Sequence, residues 1–294
     1  MGTGKTLCAA VGIAVVLGCS YEGYCAYVAK KAMEIPRLPL GEATPASVGL
    51  DYEDVAFFSR DGLLLKGWYI PGASATTFVV VNGGYQNRVD SVVGTLELAR
   101  DLNRLGHSIL LFDLRGRGES EGEGINLTHN DKDIGGAINY LDSRGVLNQN
   151  ILLLGFSTGA AACLIFASQN NVAAVISDSS FAEVRELIIS QFSIKRGVPL
   201  WLAQCLYPGF IFNAKAIYGY KHIDPVAIVN KILSPILFLH GEADPDFPVS
   251  YCYQLYNASA KPEDSIWIVP SAGHTLGYKQ DPAGYINHIS DFLS

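Results

Sequence analysis

The sequence predicts an α/β fold with a mainly parallel central sheet and helices on both of its faces. Short apolar runs, typical of strands, alternate along the chain with longer helical stretches. These runs are almost wholly apolar, which is the pattern of strands buried on both faces. The chain has 294 residues, of which 49% are hydrophobic, so it carries enough apolar material for one large domain of this kind.

The sheet is predicted to begin with a hairpin. Apolar runs at 55–59 and 63–70 are separated by Arg60-Asp61-Gly62, and an Asp-Gly pair between two strands is a strong turn signal. Further strands are predicted at 77–81, 108–112, 151–154, 173–177, 235–239 and 265–269, and helices at 91–105, 131–143, 158–168 and 282–293. Sheets of this kind carry their functional loops beyond the carboxyl ends of the parallel strands, so candidate site residues are expected there.

The N-terminal part of the chain is predicted to lie outside this domain. Residues 1–29 are predicted to be a hydrophobic signal or anchor segment, residues 30–50 a proline-containing linker, and residues 51–294 the domain. Leu7–Ser20 is a 14-residue run without charge, shorter than the about 20 residues that a membrane-spanning helix needs. Cys19 lies where a bacterial lipoprotein would be lipidated, and a first helix packed on the domain is the alternative. Membrane association is predicted, with the side of the membrane left open.

Residues 182–231 interrupt the alternation of strands and helices. Many aromatic residues fall in this stretch, with glycine and proline between them: Trp201, Tyr207, Phe210, Phe212, Tyr218 and Tyr220. So many aromatic side chains need a place to pack, which predicts a small helical cap inserted over the strand ends. An ordinary surface excursion is the alternative.

Charge and cysteine content exclude two classes of function. The net charge is −7 and the basic residues are dispersed, whereas binding to nucleic acid needs a concentrated basic face. The six cysteines show neither a C-x-x-C pair nor metal-ligand spacing, so no metal site is predicted. Those beyond the N-terminal segment are predicted to be small buried side chains, with a Cys205–Cys252 disulfide as the alternative.

Gly155-Phe156-Ser157-Thr158-Gly159 is the sequence G-x-S-x-G, directly after an apolar strand and directly before a helix of small residues. In this context the serine sits on a strained turn, where flanking glycines remove side chains that would clash. Its hydroxyl is then exposed at the start of a helix, which favours developing negative charge. Ser157 is therefore the predicted nucleophile.

A serine hydroxyl needs a base to take its proton and an acid to orient that base. Of the six histidines, His274 lies in a loop after the last strand and before the last helix, from which it can reach back over the strand ends. Asp244, just past a buried strand and between Ser157 and His274 in the chain, is the predicted acid. The alternatives for the acid are Glu242, Asp246 and Asp178.

Two N–H donors are needed to hold an oxyanion. The backbone amide of Thr158, the residue after the nucleophile, is one, and its side chain is expected to be incidental to that role. The other is predicted in the loop Asn82-Gly83-Gly84-Tyr85, with Gly84 as the donor and Tyr85 as the runner-up. No cofactor is predicted, because Glu121 stands where the third glycine of a dinucleotide motif beginning at Gly116 would have to be.

Five ordered stretches give the chain a resemblance to a known family. They are Ser59–Leu63 leading to Gly67–Pro71, Asp113–Ser120, the serine motif, His240–Asp244, and Gly273-His274. On these the sequence resembles the α/β-hydrolases, in particular the serine aminopeptidase-like and Bem46-like group. The resemblance implies an esterase, lipase, thioesterase or peptidase without a cofactor. One departure is Asn82, where the family usually has histidine, and Asn82 is expected to hydrogen-bond within its loop.

The predicted function is a serine hydrolase that cleaves a carboxylic ester or thioester of a small acyl substrate through an acyl-enzyme. A peptidase of the acylaminoacyl or aminopeptidase-like type is the alternative among enzymes. A membrane-tethered binding protein on a hydrolase scaffold is the alternative outside them.

Overall fold

The computed structural model of the chain describes residues 2–125, 127–195 and 197–294; the side chains of residues 2–14 and of Lys195 lie outside the description. The thiol of Cys8 and the other side chains of residues 7–14 in the uncharged run Leu7–Ser20 are therefore not described. In its secondary structure, a single helix, α1 (Gly2–Met33), runs through the predicted anchor segment and four residues into the predicted linker.

The centre of the fold is an eight-stranded sheet. Its strands are β1 (Glu53–Phe58), β2 (Leu64–Ile70), β3 (Thr77–Val81), β4 (Ser108–Phe112), β5 (Ile151–Phe156), β6 (Ala174–Asp178), β7 (Ile236–Gly241) and β8 (Ser265–Val269), in the spatial order β1-β2-β4-β3-β5-β6-β7-β8. β2 runs antiparallel to both β1 and β4, and the other neighbours are parallel. The predicted hairpin is confirmed, with Gly62 at a φ of 90° in its turn. The α/β fold with a mainly parallel sheet is thus confirmed.

The other helices of the described residues are α2 (Thr95–Arg104), α3 (Asn130–Ser143), α4 (Thr158–Ala167), α5 (Val184–Ser190), α6 (Leu200–Tyr218), α7 (Pro225–Ile228), α8 (Ser250–Ser259), α9 (Gly277–Gln280) and α10 (Pro282–Leu293). Four of them fall within a few residues of the predicted helices. The stretch predicted as an insertion, 182–231, contains α5, α6 and α7. Helix α8 was not predicted, because its sequence is mostly polar and aromatic, although Tyr251, Cys252 and Leu255 form a buried face at helical spacing.

The chain divides into two compact units. The sheet unit comprises residues 35–187 and 222–294, and the helical unit residues 1–34 and 188–221. In the sheet unit, β3 to β7 are buried along their whole length, as expected for parallel strands covered on both faces. Within the part of the chain that the structure describes, no helix combines the length and the apolarity that crossing a membrane requires.

The cysteines separate by burial. Cys163 and Cys252 are buried, as predicted, but Cys205 lies exposed on α6. Both Cys205 and Cys252 carry free thiols, so the alternative of a disulfide between them is excluded by the structure. The prediction of burial was wrong for Cys205, because it lies on the outward face of its helix.

Candidate active site

Ser157 lies on the sharp turn between β5 and α4. Its φ of 55° and ψ of −121° are strained for a residue with a side chain, and its backbone amide donates to the carbonyl of Asp178 on the neighbouring strand. The flanking glycines permit the turn, since a Cβ on Gly155 would lie 2.6 Å from the Cα of Ala160. The turn places the hydroxyl between the carboxyl end of β5 and the N-terminus of α4.

His274 reaches Ser157 from the loop between β8 and α9. Its Nε2 lies 2.9 Å from Ser157 Oγ, and its Nδ1 lies 2.7 Å from Asp244 Oδ2. Because Nδ1 faces a carboxylate, it carries the ring proton and Nε2 is left to accept the serine hydroxyl. The ring of Phe247 packs edge-on against the imidazole with centroids 4.6 Å apart, which limits its rotation.

The backbone of the His274 loop is tied to the end of the sheet. Thr275 has a φ of 55°, and its amide donates to the hydroxyl of Ser179, the residue after β6. A second tie joins the loop to the turn after β7, where the amide of Ala243 donates to the carbonyl of Ala272 at 2.9 Å. These bonds hold the histidine over the carboxyl ends of β5, β6 and β7.

The side chain of Asp244 is fully buried, and its two carboxylate oxygens have different partners. Oδ1 accepts the backbone amides of Asp246 and Phe247, both at 2.8 Å, while Oδ2 faces His274 and, at 3.3 Å, Nε2 of His240. Burial alone would raise the pKa of Asp244, but the hydrogen bonds from His240 and His274 together hold it well below its usual range. The carboxylate is therefore ionised at neutral pH.

The alternative acids have other partners. Both oxygens of the buried Asp178 accept hydroxyl groups, from Tyr285 and from Ser179, each at 2.8 Å. Burial raises the pKa of Asp178 above its usual value. Glu242 accepts the backbone amide of Ser271, and Asp246 contributes its backbone amide to Asp244. The structure thus brings Ser157, His274 and Asp244 into one hydrogen-bonded series.

The loop after β3 packs directly on the serine turn. A Cβ on Gly83 would lie 2.8 Å from Ser157 Cβ, so the close approach requires glycine. The amide of Gly84 donates to the side-chain hydroxyl of Thr158 at 2.7 Å, so that side chain is not incidental to the loop. The side chain of Tyr85 is exposed. As expected, Asn82 bonds within its loop, donating to the carbonyl of Asn87 at 2.8 Å.

Sequence reasoning missed Arg117 as part of this loop's support. Its guanidinium is buried and donates twice to the carbonyl of Gly84, from Nε at 2.9 Å and Nη2 at 2.6 Å. Burial lowers the pKa of Arg117 to about 10, which leaves it protonated at neutral pH. The paired bonds fix the peptide plane between Gly84 and Tyr85. Nothing in the sequence pattern indicates this contact, since Gly84 and Arg117 lie 33 residues apart in the chain.

His240 was also missed. Its Nε2 donates to the carbonyl of Phe247 at 3.0 Å and faces Asp244. The spacing of four residues between His240 and Asp244 was the available signal. Among the residues that the structure describes, no group of three or more histidine, cysteine, aspartate or glutamate side chains could hold a metal ion.

Comparison with known proteins agrees with the fold. Residues 76–204 match the family model described as the alpha/beta hydrolase fold. The uncharacterized protein YqkD of Bacillus subtilis is 25% identical over 242 residues, covering 80% of this chain and 77% of that protein. An uncharacterized protein of Mycobacterium tuberculosis is 26% identical over 297 residues, covering 98% of this chain and 96% of its own length.

The solved structures show the same architecture. An esterase of Pyrococcus furiosus superposes with a TM-score of 0.74 at 21% identity, covering 89% of this chain and 97% of that chain. Together with the eight-stranded sheet and the serine turn between β5 and α4, these findings show that the chain has the α/β-hydrolase fold.

Proposed function

We propose that the chain is a serine hydrolase that cleaves carboxylic esters, thioesters included, with Ser157 as nucleophile, His274 as general base and Asp244 as the acid that orients it. The observation that supports this most directly is the continuous series of hydrogen bonds from Ser157 Oγ through His274 to Asp244 Oδ2, at 2.9 Å and 2.7 Å. Each distance lies within the range over which a nucleophile and its base exchange a proton.

In the proposed reaction, Nε2 of His274 takes the hydroxyl proton as Ser157 Oγ attacks the acyl carbon. Asp244 stabilises the imidazolium that forms, and His274 then passes the proton to the departing alkoxide or thiolate. Water attacks the resulting acyl-enzyme by the same route. The ionised state of Asp244 at neutral pH favours this role, since the carboxylate is ready to accept the Nδ1–H bond.

The oxyanion is proposed to be held by the backbone amides of Thr158 and Gly84. In the free protein the Gly84 amide is hydrogen-bonded to the Thr158 hydroxyl. Binding of an oxyanion would exchange that bond for one to the substrate. The two hydrogen bonds from Arg117 to the Gly84 carbonyl would hold the loop in place meanwhile. The hydroxyl thus keeps a partly buried donor satisfied until substrate arrives.

Esters are proposed ahead of peptides because an alkoxide or thiolate leaves with less help from a general acid than an amine does. The structurally similar protein of Pyrococcus furiosus is described as an esterase, which favours the same choice.

The experiment that tests this function is labelling with a fluorophosphonate probe, which reacts with activated serines. We expect the wild-type protein to be labelled and the Ser157→Ala variant not to be. Labelling that persists unchanged in Ser157→Ala would overturn the assignment of the nucleophile. Absence of both labelling and turnover in the wild type would favour a binding protein on a hydrolase scaffold.

The substrate class is tested separately with a panel of p-nitrophenyl esters, acyl thioesters and aminoacyl anilides. Turnover of the esters or thioesters at a kcat/KM well above that of the anilides is expected. The reverse order would support the peptidase alternative.

A further inference from the structure

The exposed apolar side chains of this protein are concentrated in the helical unit. Eleven of the 18 large apolar side chains that are exposed among those described belong to this unit, which is less than a quarter of the chain. Isolated exposed apolar residues need no explanation, but a contiguous apolar surface marks a site of interaction.

Helices α1 and α6 run side by side in the same direction. The hydroxyl of Tyr21 donates to the carbonyl of Cys205 at 2.8 Å, and that of Tyr218 to Glu34 at 3.1 Å, so 13 residues along one helix match 13 along the other. Close packing between these points is permitted by Gly209, where a Cβ would lie 3.0 Å from Cys25 Cβ. The two helices therefore stay close together over this length.

By extension of this spacing, the start of α6 lies at the level of a fully exposed stretch of α1. All six residues from Val15 to Ser20 are exposed, although this part of the helix is almost wholly apolar. By the matched spacing, Leu17 lies at the level of Trp201, which is 66% exposed. A helix that is apolar all round is stable when an apolar medium surrounds it.

Further apolar side chains belong to the same end of α6. Leu200 is 55% exposed, and Ile194, shortly before it in the chain, is 71% exposed. Along α6 the outward face continues at helical spacing through Cys205, Pro208 and Phe212. We call the exposed residues Val15–Cys19, Ile194, Leu200 and Trp201 the apolar tip.

We propose that the apolar tip inserts into a lipid bilayer from one side, with α6 as a second contact beside α1. The occupant is a lipid surface because the tip continues into the uncharged run Leu7–Ser20 of the sequence. A run of 14 residues rises about 21 Å as a helix, more than one leaflet of the about 30 Å hydrocarbon core. The inference is independent of the proposed function.

The side chains that follow the tip fit the boundary between lipid and water. The first charge after the uncharged run is Glu22, which accepts a hydrogen bond from Asn213 of α6. Trp201, Tyr21 and Tyr24 lie within about two helical turns of this level, and tryptophan and tyrosine are enriched at membrane interfaces. The tip thus ends shortly before the described hydrogen bonds between the two helices, Tyr21–Cys205 and Glu22–Asn213.

The test uses the fluorescence of Trp201 in the full-length protein bound to vesicles of phosphatidylcholine and phosphatidylglycerol. Of the three tryptophans, Trp68 and Trp267 belong to the sheet unit, so the difference between the wild type and Trp201→Phe isolates Trp201. Lipids brominated on their acyl chains are expected to quench the wild type more strongly than Trp201→Phe. Equal quenching of both proteins while they are bound to the vesicles would overturn the proposal.

A second measurement compares the partitioning of two double variants into the same vesicles. Leu200→Ser/Trp201→Ser is expected to lower the partition coefficient at least about tenfold. Its matched control, Leu147→Ser/Leu233→Ser, removes two exposed leucines of the sheet unit and is expected to leave partitioning unchanged. An equal loss in both variants would overturn the proposal. A concentration-dependent dimer that shields Trp201 from iodide without lipid would overturn it in favour of a second copy of the chain.

Discussion

Replacing Asp244 by asparagine would reverse the hydrogen bond that holds His274. The backbone amides of Asp246 and Phe247 both donate to Oδ1 at 2.8 Å, so the asparagine keeps its carbonyl oxygen at that position and its NH2 group replaces Oδ2. The opposite orientation would set the NH2 group against two buried N–H donors, at a cost of about 1–3 kcal/mol for each donor left unpaired.

The NH2 group of the variant would then face Nδ1 of His274, which lies 2.7 Å from Oδ2 in the wild type. Since an NH2 group donates, Nδ1 must accept, and the ring proton moves to Nε2. In that tautomer Nε2 cannot take the proton of Ser157. The expected loss in kcat is roughly 10³- to 10⁴-fold, or about 4 to 5.4 kcal/mol of transition-state stabilisation.

Steady-state hydrolysis of a p-nitrophenyl ester at neutral pH measures this loss. Glu242→Gln is the matched control, because Glu242 is a neighbouring acid on the same turn that accepts only a backbone amide from Ser271 in its described contacts. It is expected to keep wild-type activity. The reasoning is refuted if Asp244→Asn keeps more than a tenth of the wild-type kcat. If Asp178→Asn abolishes activity instead, the result assigns the role of the acid to Asp178.

The wild type and Asp244→Asn are also expected to differ in how their free energy of unfolding depends on pH. Because the folded-state pKa of Asp244 lies below its unfolded value, the carboxylate contributes stability above the ordinary aspartate pKa, and this contribution is lost as the pH falls toward the folded-state pKa. Between about pH 5 and pH 2 the free energy of unfolding should therefore fall further for the wild type than for Asp244→Asn. Urea unfolding at several pH values measures both curves, and parallel curves would contradict the expectation.

Two further substitutions test the surroundings of the site, and one labelling reaction tests the burial of two cysteines. Arg117→Lys keeps the charge but loses the paired bonds to Gly84, so kcat should fall about 10- to 100-fold with little change in KM, and an unchanged kcat would count against a positioning role. Thr158→Val removes the hydroxyl that competes for the Gly84 amide, so kcat/KM should stay level or rise up to about fivefold, whereas a hundredfold loss would make the hydroxyl itself an oxyanion donor. Burial raises the pKa of the Cys163 thiol, so iodoacetamide at neutral pH and without lipid should label the exposed Cys205 in the native protein and Cys163 only after denaturation; mass spectrometry of the peptides distinguishes the two.

Much of the sheet was predictable because its signal is local. A strand buried on both faces is apolar at nearly every position, so β3 and β4 begin and end where their predicted runs do. Helix boundaries were less predictable. Helix α2 was predicted from residue 91 but begins at Thr95, because Gly94 has a φ of 81°, outside the helical region. Nothing in the apolar pattern marks that change of backbone.

The sequence by itself determined the strained turn that carries Ser157, because that turn needs glycines at fixed positions between a strand and a helix, all within five residues. It predicted Asp244 as the acid but kept Glu242, Asp246 and Asp178 as alternatives, since chain order alone does not say which carboxylate meets the histidine. Only the tertiary structure decided which carboxylate meets His274, because hydrogen bonds form over less than about 3.5 Å between segments that lie far apart in the chain. For the same reason only the fold revealed that Arg117 supports Gly84 and that α6 packs alongside α1.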